Sequence, residues 1–279
     1  LLKNKKLTSA EIEQFHSLIY AYYYKHGRIF SWREQITPYR VVVSEVMLQQ
    51  TQTDRVAKKY DLFISQISNF DQLAYSSFEC VLRLWTGLGY NRRAQALQKI
   101  ARLVVDRYGG HLPDDPSILQ TFPGIGPATA ASIATFAFNK ASAFIETNIR
   151  TVFIHTFFAT STKVLDADIL SLVEQTIDHN NPRHWYYALM DYGVMLKKNV
   201  GNVSRASAHY TKQTRFEGSD RQIRGRILQI LLDQPGIDED CLVVAIADSP
   251  DRTKHILNEL CEEKFVCCRH GGWWIVKSL

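Results

Sequence analysis

The sequence predicts a mainly α-helical body followed by a small α+β module, and three observations carry that prediction. Apolar residues recur at helical spacing through most of the first 198 residues. Glycine, proline and asparagine punctuation separates the apolar runs, and residues 265–276 switch to short strand-like runs around His270-Gly271-Gly272.

Taken in order, LLKNKKLTSAEIEQF reads as a short tail and then a capped helix, not as a secretion signal. The runs FHSLIYAYYY, YRVVVSEVML, VLRLWTGLGY, ALQKIARLVV, AASIATFAF, VFIHTFF, ILSLVEQTI and WYYALMDYGVML each repeat apolar residues at a spacing of three and four. Breaks are expected at Gly27, at Tyr108-Gly109-Gly110, at the PGIGP segment and at Asn180-Asn181-Pro182. Residues 199–220 lose the periodicity and read as a linker. The pattern then resumes as helices over 221–233, 239–247 and 251–264, closed by two short strands, which is a winged-helix-like layout. The expected division is therefore 1–198, 199–220 and 221–279.

At 279 residues the chain is long enough for two domains, and it contains no run near the ~20 apolar residues of a membrane span. A cytoplasmic protein is expected, without membrane contact. The net charge of +5 is unevenly spread. Between Lys197 and Arg226 stand eight Lys and Arg against two acids, so the basicity is local. Lys197, Lys198, Arg205, Lys212, Arg215, Arg221, Arg224 and Arg226 alternate with Ser, His, Tyr and Gly, as a strip tracking a phosphate backbone would; a solvated linker is the plain alternative. From Ser219 onward the balance is eight basic to ten acidic residues. That is not the balance of a module devoted to gripping phosphate.

Cys80, Cys241, Cys261, Cys267 and Cys268 show no C-x-x-C pair, and their odd number does not suggest a disulfide framework. They read as reduced and structural, with no metal site.

Three segments carry chemistry. In LQTFPGIGPAT, Gly124 and Gly126 free the backbone around Ile125, and the helix opening at Pro127 leaves N–H groups available past Ala128 and Thr129. That is a phosphate cradle or, more simply, a tight turn between helices. Glu45 stands among Val41, Val42, Val46, Met47 and Leu48, where desolvation would raise its proton affinity and suit it to general acid work. The plain alternative is a carboxylate on the wet face paired with Arg40. Glu146 precedes Asn148, which is expected to cap the next helix, so Glu146 is expected to stay ionised near a helix N-terminus; capping alone is its plain alternative. An acid and a carboxylate in opposite protonation states would fit glycosidic cleavage.

The ordered motifs SWR, TPYRVVVSEVMLQQTQ, LWTGLGYNRRAQAL, FPGIG, FIETNIR and ALMDYGVM, across residues 28–196, resemble the helix-hairpin-helix DNA glycosylases of the endonuclease III kind. Among these the chain is most similar to the MutY-type, adenine-specific mismatch glycosylases. The resemblance implies a two-lobed helix-hairpin-helix glycosylase fold. It implies that Glu45 protonates the base, that Glu146 stands where the family carries its catalytic Asp, and that Asn148 assists it. Leu48, Gln49, Gln50 and Thr51 match the loop wedged into the duplex, and Tyr90 a second inserted side chain. Trp32, Arg33 and Leu48 match the border of the base pocket, and Gly124, Ile125, Gly126, Ala128 and Thr129 the hairpin on the DNA backbone; Arg205, Lys212 and Arg215, read from their charge alone, are expected as further phosphate contacts.

Three departures qualify the resemblance. Ala128 occupies the position of the Schiff-base lysine of bifunctional relatives, so lyase chemistry is not expected. Lys197 stands where the first cysteine of the family's iron–sulfur loop would be, so no cofactor is expected. The last segment replaces the domain that reads the opposite base. The implied function is a monofunctional DNA glycosylase of base excision repair, acting as a monomer on double-stranded DNA at adenine mispaired with 8-oxoguanine or guanine. Two alternatives stand beside it: excision of another damaged base, deaminated or alkylated, and a damage-binding protein with attenuated catalysis.

Overall fold

The computed structural model describes residues 6–211 and 215–277, which divide into two compact units. One comprises residues up to Val41, Pro113–Thr121 and Ile125–Lys212; the other comprises Val42–Leu112, Phe122–Gly124 and Gln213–Leu279. In chain order the helices begin with α1 (Ser9–His26), α2 (Ser31–Glu34), α3 (Pro38–Leu48), α4 (Thr53–Gln66) and α5 (Phe70–Tyr75). They continue with α6 (Phe78–Trp85), α7 (Arg92–Tyr108), α8 (Pro116–Leu119), α9 (Pro127–Phe138) and α10 (Thr147–Phe157). Then come α11 (Asp166–Thr176), α12 (Pro182–Asn199), α13 (Asp220–Asp233), α14 (Glu239–Ile246) and α15 (Pro250–Glu262). Strands β1 (Val266–Arg269) and β2 (Gly272–Ile275) close the chain as an antiparallel pair.

The caps explain the boundaries. Thr8 and Glu11 form a reciprocal capping box at the start of α1, and Gly27 ends it by donating its N–H to the Tyr23 carbonyl. Gly109 ends α7 in the left-handed region, and Pro182 opens α12. Helical spacing in VLRLWTGLGY continues past the true end of α6. The helix stops at Trp85 because Gly87, Gly89 and Tyr90 all take positive φ, a conformation no helix accommodates.

In the first unit, α12 packs against α1 and α10 around Trp185, Tyr186, Phe153 and Ile19, all fully buried. Phe15 meets Phe153 and Trp185 edge to face at 5.5 and 5.6 Å. The α10–α12 approach is set by Gly193, where a Cβ would lie 2.4 Å from the Asn148 carbonyl oxygen. The 199–220 stretch starts as part of this unit: Val164 N–H donates to Ala206 and Ala208 N–H to Val164, with Ser204 and Ser207 buried.

In the second unit the apolar face of α6, formed by Phe78, Val81, Leu82 and Trp85, is buried, and α5 packs on α7. The C-terminal helices α13 to α15 and the β-ribbon form the expected winged-helix layout, with one added bridge between Ile237 and Trp273. This module is fastened within the unit. Phe265 packs against Phe78, the Phe78 N–H donates to the Lys277 carbonyl, and Gln95 donates to the Glu263 carbonyl at 2.7 Å.

Gly193→Ala should force α10 and α12 apart at a backbone contact that cannot yield. The expected loss is about 1–3 kcal/mol, several degrees of Tm for a chain of this size, read by thermal denaturation. An unchanged Tm would show that the helices have room to spare.

Candidate functional site

The hairpin turn lies between α8 and α9. Gly124 takes φ +76°, Ile125 is buried as the turn's anchor, and Gly126 is the N-cap of α9 with Pro127 at its first position. No side chain caps α9. Gly126 and Ala128 are exposed, Thr129 is half-buried, and a Cβ built at Gly126 would meet nothing within 4 Å. Such an end presents backbone N–H groups and the positive end of the helix dipole to an anion.

The predicted wedge residues follow α3 directly. Leu48 ends that helix, Gln50 is exposed with φ +54°, and Gln49 Nε2 donates to the Gly124 carbonyl at 3.1 Å. Arg93, which the sequence gave no reason to single out, organises this loop. Its guanidinium donates to the carbonyls of Val46, Met47 and Gln49, and also to Thr51 Oγ1, Leu88 and Gly89. The loop after α3 and the loop after α6 therefore share one cation. Burial lowers the Arg93 pKa to about 10, which still leaves it charged near neutrality. Tyr90, half-buried with φ +47°, has the Arg93 and Arg221 guanidinium carbons 5.4 and 5.1 Å from its ring centroid.

The acids occupy different settings. Glu45 is half-buried on α3, and its neighbours Val41, Val42, Val46 and Met47 are buried. Glu146, rather than Asn148, is the N-cap of α10: its Oε1 accepts the backbone N–H groups of Asn148 and Ile149 at 2.8 and 2.9 Å. Asn148 is the second residue of the helix, and its Nδ2 donates to Glu146 Oε2 at 3.2 Å. The Glu146 side chain curls back onto the amides of its own helix. Capping does not decide the proton affinity of Glu146. Desolvation pushes its carboxyl upward and outweighs the two N–H bonds and the charges of Arg150 and Arg28, which act the other way.

Trp32 is buried and stacks on Phe30 at 4.5 Å. Arg33 grips Asp191 with both terminal nitrogens, at 2.9 and 3.0 Å, and lies over the Tyr187 ring at 4.4 Å. Arg28 holds the same carboxylate through its backbone N–H and its Nε, both at 2.7 Å. Asp191 sits two residues before Gly193, so this buried cluster shares α12 with the seat of Asn148.

The description "HhH-GPD superfamily base excision DNA repair protein" matches residues 43–175. The adenine DNA glycosylase of Mycobacterium tuberculosis is 30% identical over 235 residues, covering 76% of each chain. The chain belongs to the HhH-GPD superfamily. The adenine DNA glycosylase of Buchnera aphidicola is 33% identical over 187 residues, which cover 65% of this HhH-GPD chain. The chain spans about half of that relative, 52% of its length. A thermostable thymine-DNA glycosylase structure shares the fold, with a TM-score of 0.58 and 24% identity over 66% of this chain and 86% of that one.

The basic strip of the HhH-GPD chain divides on inspection. Lys197, Lys198 and Arg205 are exposed and form no ion pair among the described residues. Arg215 pairs with Glu217 at 2.7 Å, Arg224 with Glu259 and Glu263, and Lys212 lies outside the described residues. Cys80, Cys241, Cys261 and Cys268 are exposed and Cys267 is half-buried. Among the described residues no group of three or more His, Cys, Asp or Glu side chains could hold a metal ion. Nor is any described helix long and apolar enough to cross a membrane.

Glu146 should leave a mark on stability. A carboxyl whose folded proton affinity exceeds its unfolded value, near 4.5, stabilises the fold below that pH and loses the contribution as pH rises through the folded value. Glu146→Gln keeps an acceptor for the helix amides without the ionisation. Its Tm relative to wild type should therefore climb from pH 4 to pH 8 and match or exceed wild type at the upper end; a difference independent of pH would contradict the assigned desolvation.

Proposed function

We propose that this chain is a monofunctional DNA glycosylase that extrudes adenine mispaired with 8-oxoguanine or guanine and hydrolyses its N-glycosidic bond. The observation that carries the reading is the Glu146 carboxylate, desolvated yet held by two amides and Asn148 at the start of α10. A half-buried carboxylate so fixed interacts favourably with a sugar cation, because burial reduces the competing water and little reorganisation is needed when charge develops. The printed names of the mycobacterial and Buchnera relatives support adenine as the base.

In this reading Glu45 gives a proton to a ring nitrogen of the flipped base, the C1′–N bond breaks with its electron pair leaving on the base, and the base departs neutral. Glu146 stabilises the oxocarbenium ion, and water adds to C1′ to leave an abasic site. Gln50 and Tyr90 fill the space the base vacates. The hairpin at Gly124–Thr129 and the exposed Lys197, Lys198 and Arg205 hold the phosphate backbone.

Ala128 offers no amine for an imine, so strand cleavage is outside the proposed activity. The residues present also do not fit an iron–sulfur cluster, since none of the five cysteines lies between Lys197 and Arg226. The proposed enzyme works as a cofactor-free monomer on chromosomal DNA in the cytoplasm.

Single-turnover excision over a panel of mismatched and damaged duplexes tests the reading. Wild type should release adenine opposite 8-oxoguanine or guanine, without borohydride trapping to DNA. Glu45→Gln and Glu146→Gln should each slow release by at least ~100-fold with DNA binding retained. Near-wild-type rates in both variants would falsify the assignment, and release of a different base would move the substrate elsewhere.

Charge reversal at Lys197, Lys198 and Arg205 together should weaken binding to all duplexes and flatten its dependence on salt, because phosphate contacts release counterions without reading sequence. The slope of log affinity against log salt is the measurement; an unchanged slope returns these residues to a solvated surface.

A further inference from the structure

Arg221, the second residue of α13, spans from the C-terminal module to the loop after α6. Its Nη1 donates to the Tyr90 hydroxyl, and its guanidinium carbon lies 5.1 Å from the centroid of the Tyr90 ring. Tyr90 is a non-glycine residue in the left-handed region, a conformation that persists only where the surroundings impose it. Here Arg93 fixes the backbone by binding the Leu88 and Gly89 carbonyls, while Arg221 takes the hydroxyl at the tip of the ring.

The module's own helix-turn-helix is poorly equipped to grip DNA. In such a motif the second helix, here α15, would face the major groove. Yet Arg252 pairs with Asp220 at 2.7 Å and Asp248 at 3.5 Å, Lys254 with Glu239 at 3.2 Å, and His255 lies 3.5 Å from Glu259. Each cation at the start of α15 faces a carboxylate of its own module. Glu263 binds Arg92 of α7 at 2.6 Å and Arg224 of α13, while Arg226, Lys264, Arg269 and Lys277 of the module are exposed. A module whose α15 cations are paired with its own acids, and which is fastened to α7 through Glu263, is built to brace a neighbour.

We propose that the C-terminal module acts on DNA through Tyr90, with Arg221 as the positioning residue that holds the Tyr90 ring in the orientation in which it enters the duplex. The proposal rests on the reading of Tyr90 as an inserted side chain. It assigns to the module a part in base extrusion and none in direct sequence reading.

The test uses the full chain with Arg221→Ala, Arg221→Lys, Tyr90→Phe, Tyr90→Ala and the double variant Arg221→Ala/Tyr90→Ala. Two readouts are followed, single-turnover excision and the fluorescence of 2-aminopurine placed beside the target base, which rises as the base is extruded; Tm is recorded for each variant. Arg221→Ala should reduce both readouts about tenfold, the size of one charge-assisted hydrogen bond. Arg221→Lys should restore part of the loss, and Tyr90→Phe, which keeps the ring and removes the acceptor, should lose about threefold. In the Tyr90→Ala background, Arg221→Ala should add less than twofold. An Arg221→Ala effect of equal size in both backgrounds overturns the proposal while leaving Tyr90 as a wedge. Should Arg221→Ala lower Tm severely, Tyr90→Phe decides, and wild-type behaviour there overturns it. If Tyr90→Ala is harmless to both readouts, the reading of Tyr90 falls and the proposal with it. Finally, Arg252→Ala/Lys254→Ala should leave affinity and its salt slope unchanged; a fall in both shows that the module grips DNA itself and overturns the proposal.

Discussion

The close approach of α10 and α12 at Gly193 is the constraint on which the first unit depends. A hydrogen is all that fits there, since a Cβ would sit 2.4 Å from the Asn148 carbonyl oxygen. That approach fixes the N-terminal turn of α10, and the turn in turn fixes the Glu146 carboxylate, whose Oε1 is held by the amides of residues 148 and 149. Two residues earlier on α12, Asp191 collects Arg28 and Arg33. A buried carboxylate with two guanidiniums is costly to assemble and more costly to break, because removing either partner strands a charge. The cluster therefore makes the geometry of α12 hard to alter without losing the seat of Asn148.

The second unit solves a different problem with the same side chain. The loops after α3 and α6 present backbone acceptors and adopt left-handed turns, both unfavourable in a packed protein. Arg93 answers five carbonyls and the Thr51 hydroxyl at once and does so with a planar fork that no lysine reproduces. Charge-assisted bonds to a cation withdrawn from water are strong enough to hold Gln50 and Tyr90 at positive φ while leaving Gln50 exposed. Rigidity of the support and exposure of the tip are thus compatible.

Most of the helices were legible because burial on one face writes a period into the sequence, and the winged-helix layout was legible for the same reason. What failed was local: the period ran on through Trp85 where two glycines and Tyr90 turn the chain away, and Asn148 looked like the cap because its type is favoured, whereas the longer Glu146 reaches the same amides. The acids at 45 and 146 were legible as unusual residues. The arginines that organise the site were not, since the partners of Arg28 and Arg221 lie 163 and 131 positions away and no spacing announces such a pair. Charge counting had the same limit. It found a basic strip, but could not tell Lys197, Lys198 and Arg205 from Arg215 and Arg224, which are engaged with acids of the chain.

The state of Glu146 follows from competition between its surroundings. Helix amides and two nearby arginines favour the anion; loss of water opposes it and is the larger influence. A carboxylate that is satisfied by its own protein would gain little from a developing cation, since every favourable interaction would already be made. One that has lost its water and kept only part of the compensation gains the most, because the cation supplies what desolvation removed. The geometry at the start of α10 lies in that intermediate range: enough hydrogen bonding to fix the carboxylate in place, too little to quiet it. Under the proposed function, stability and reactivity are opposed at this residue.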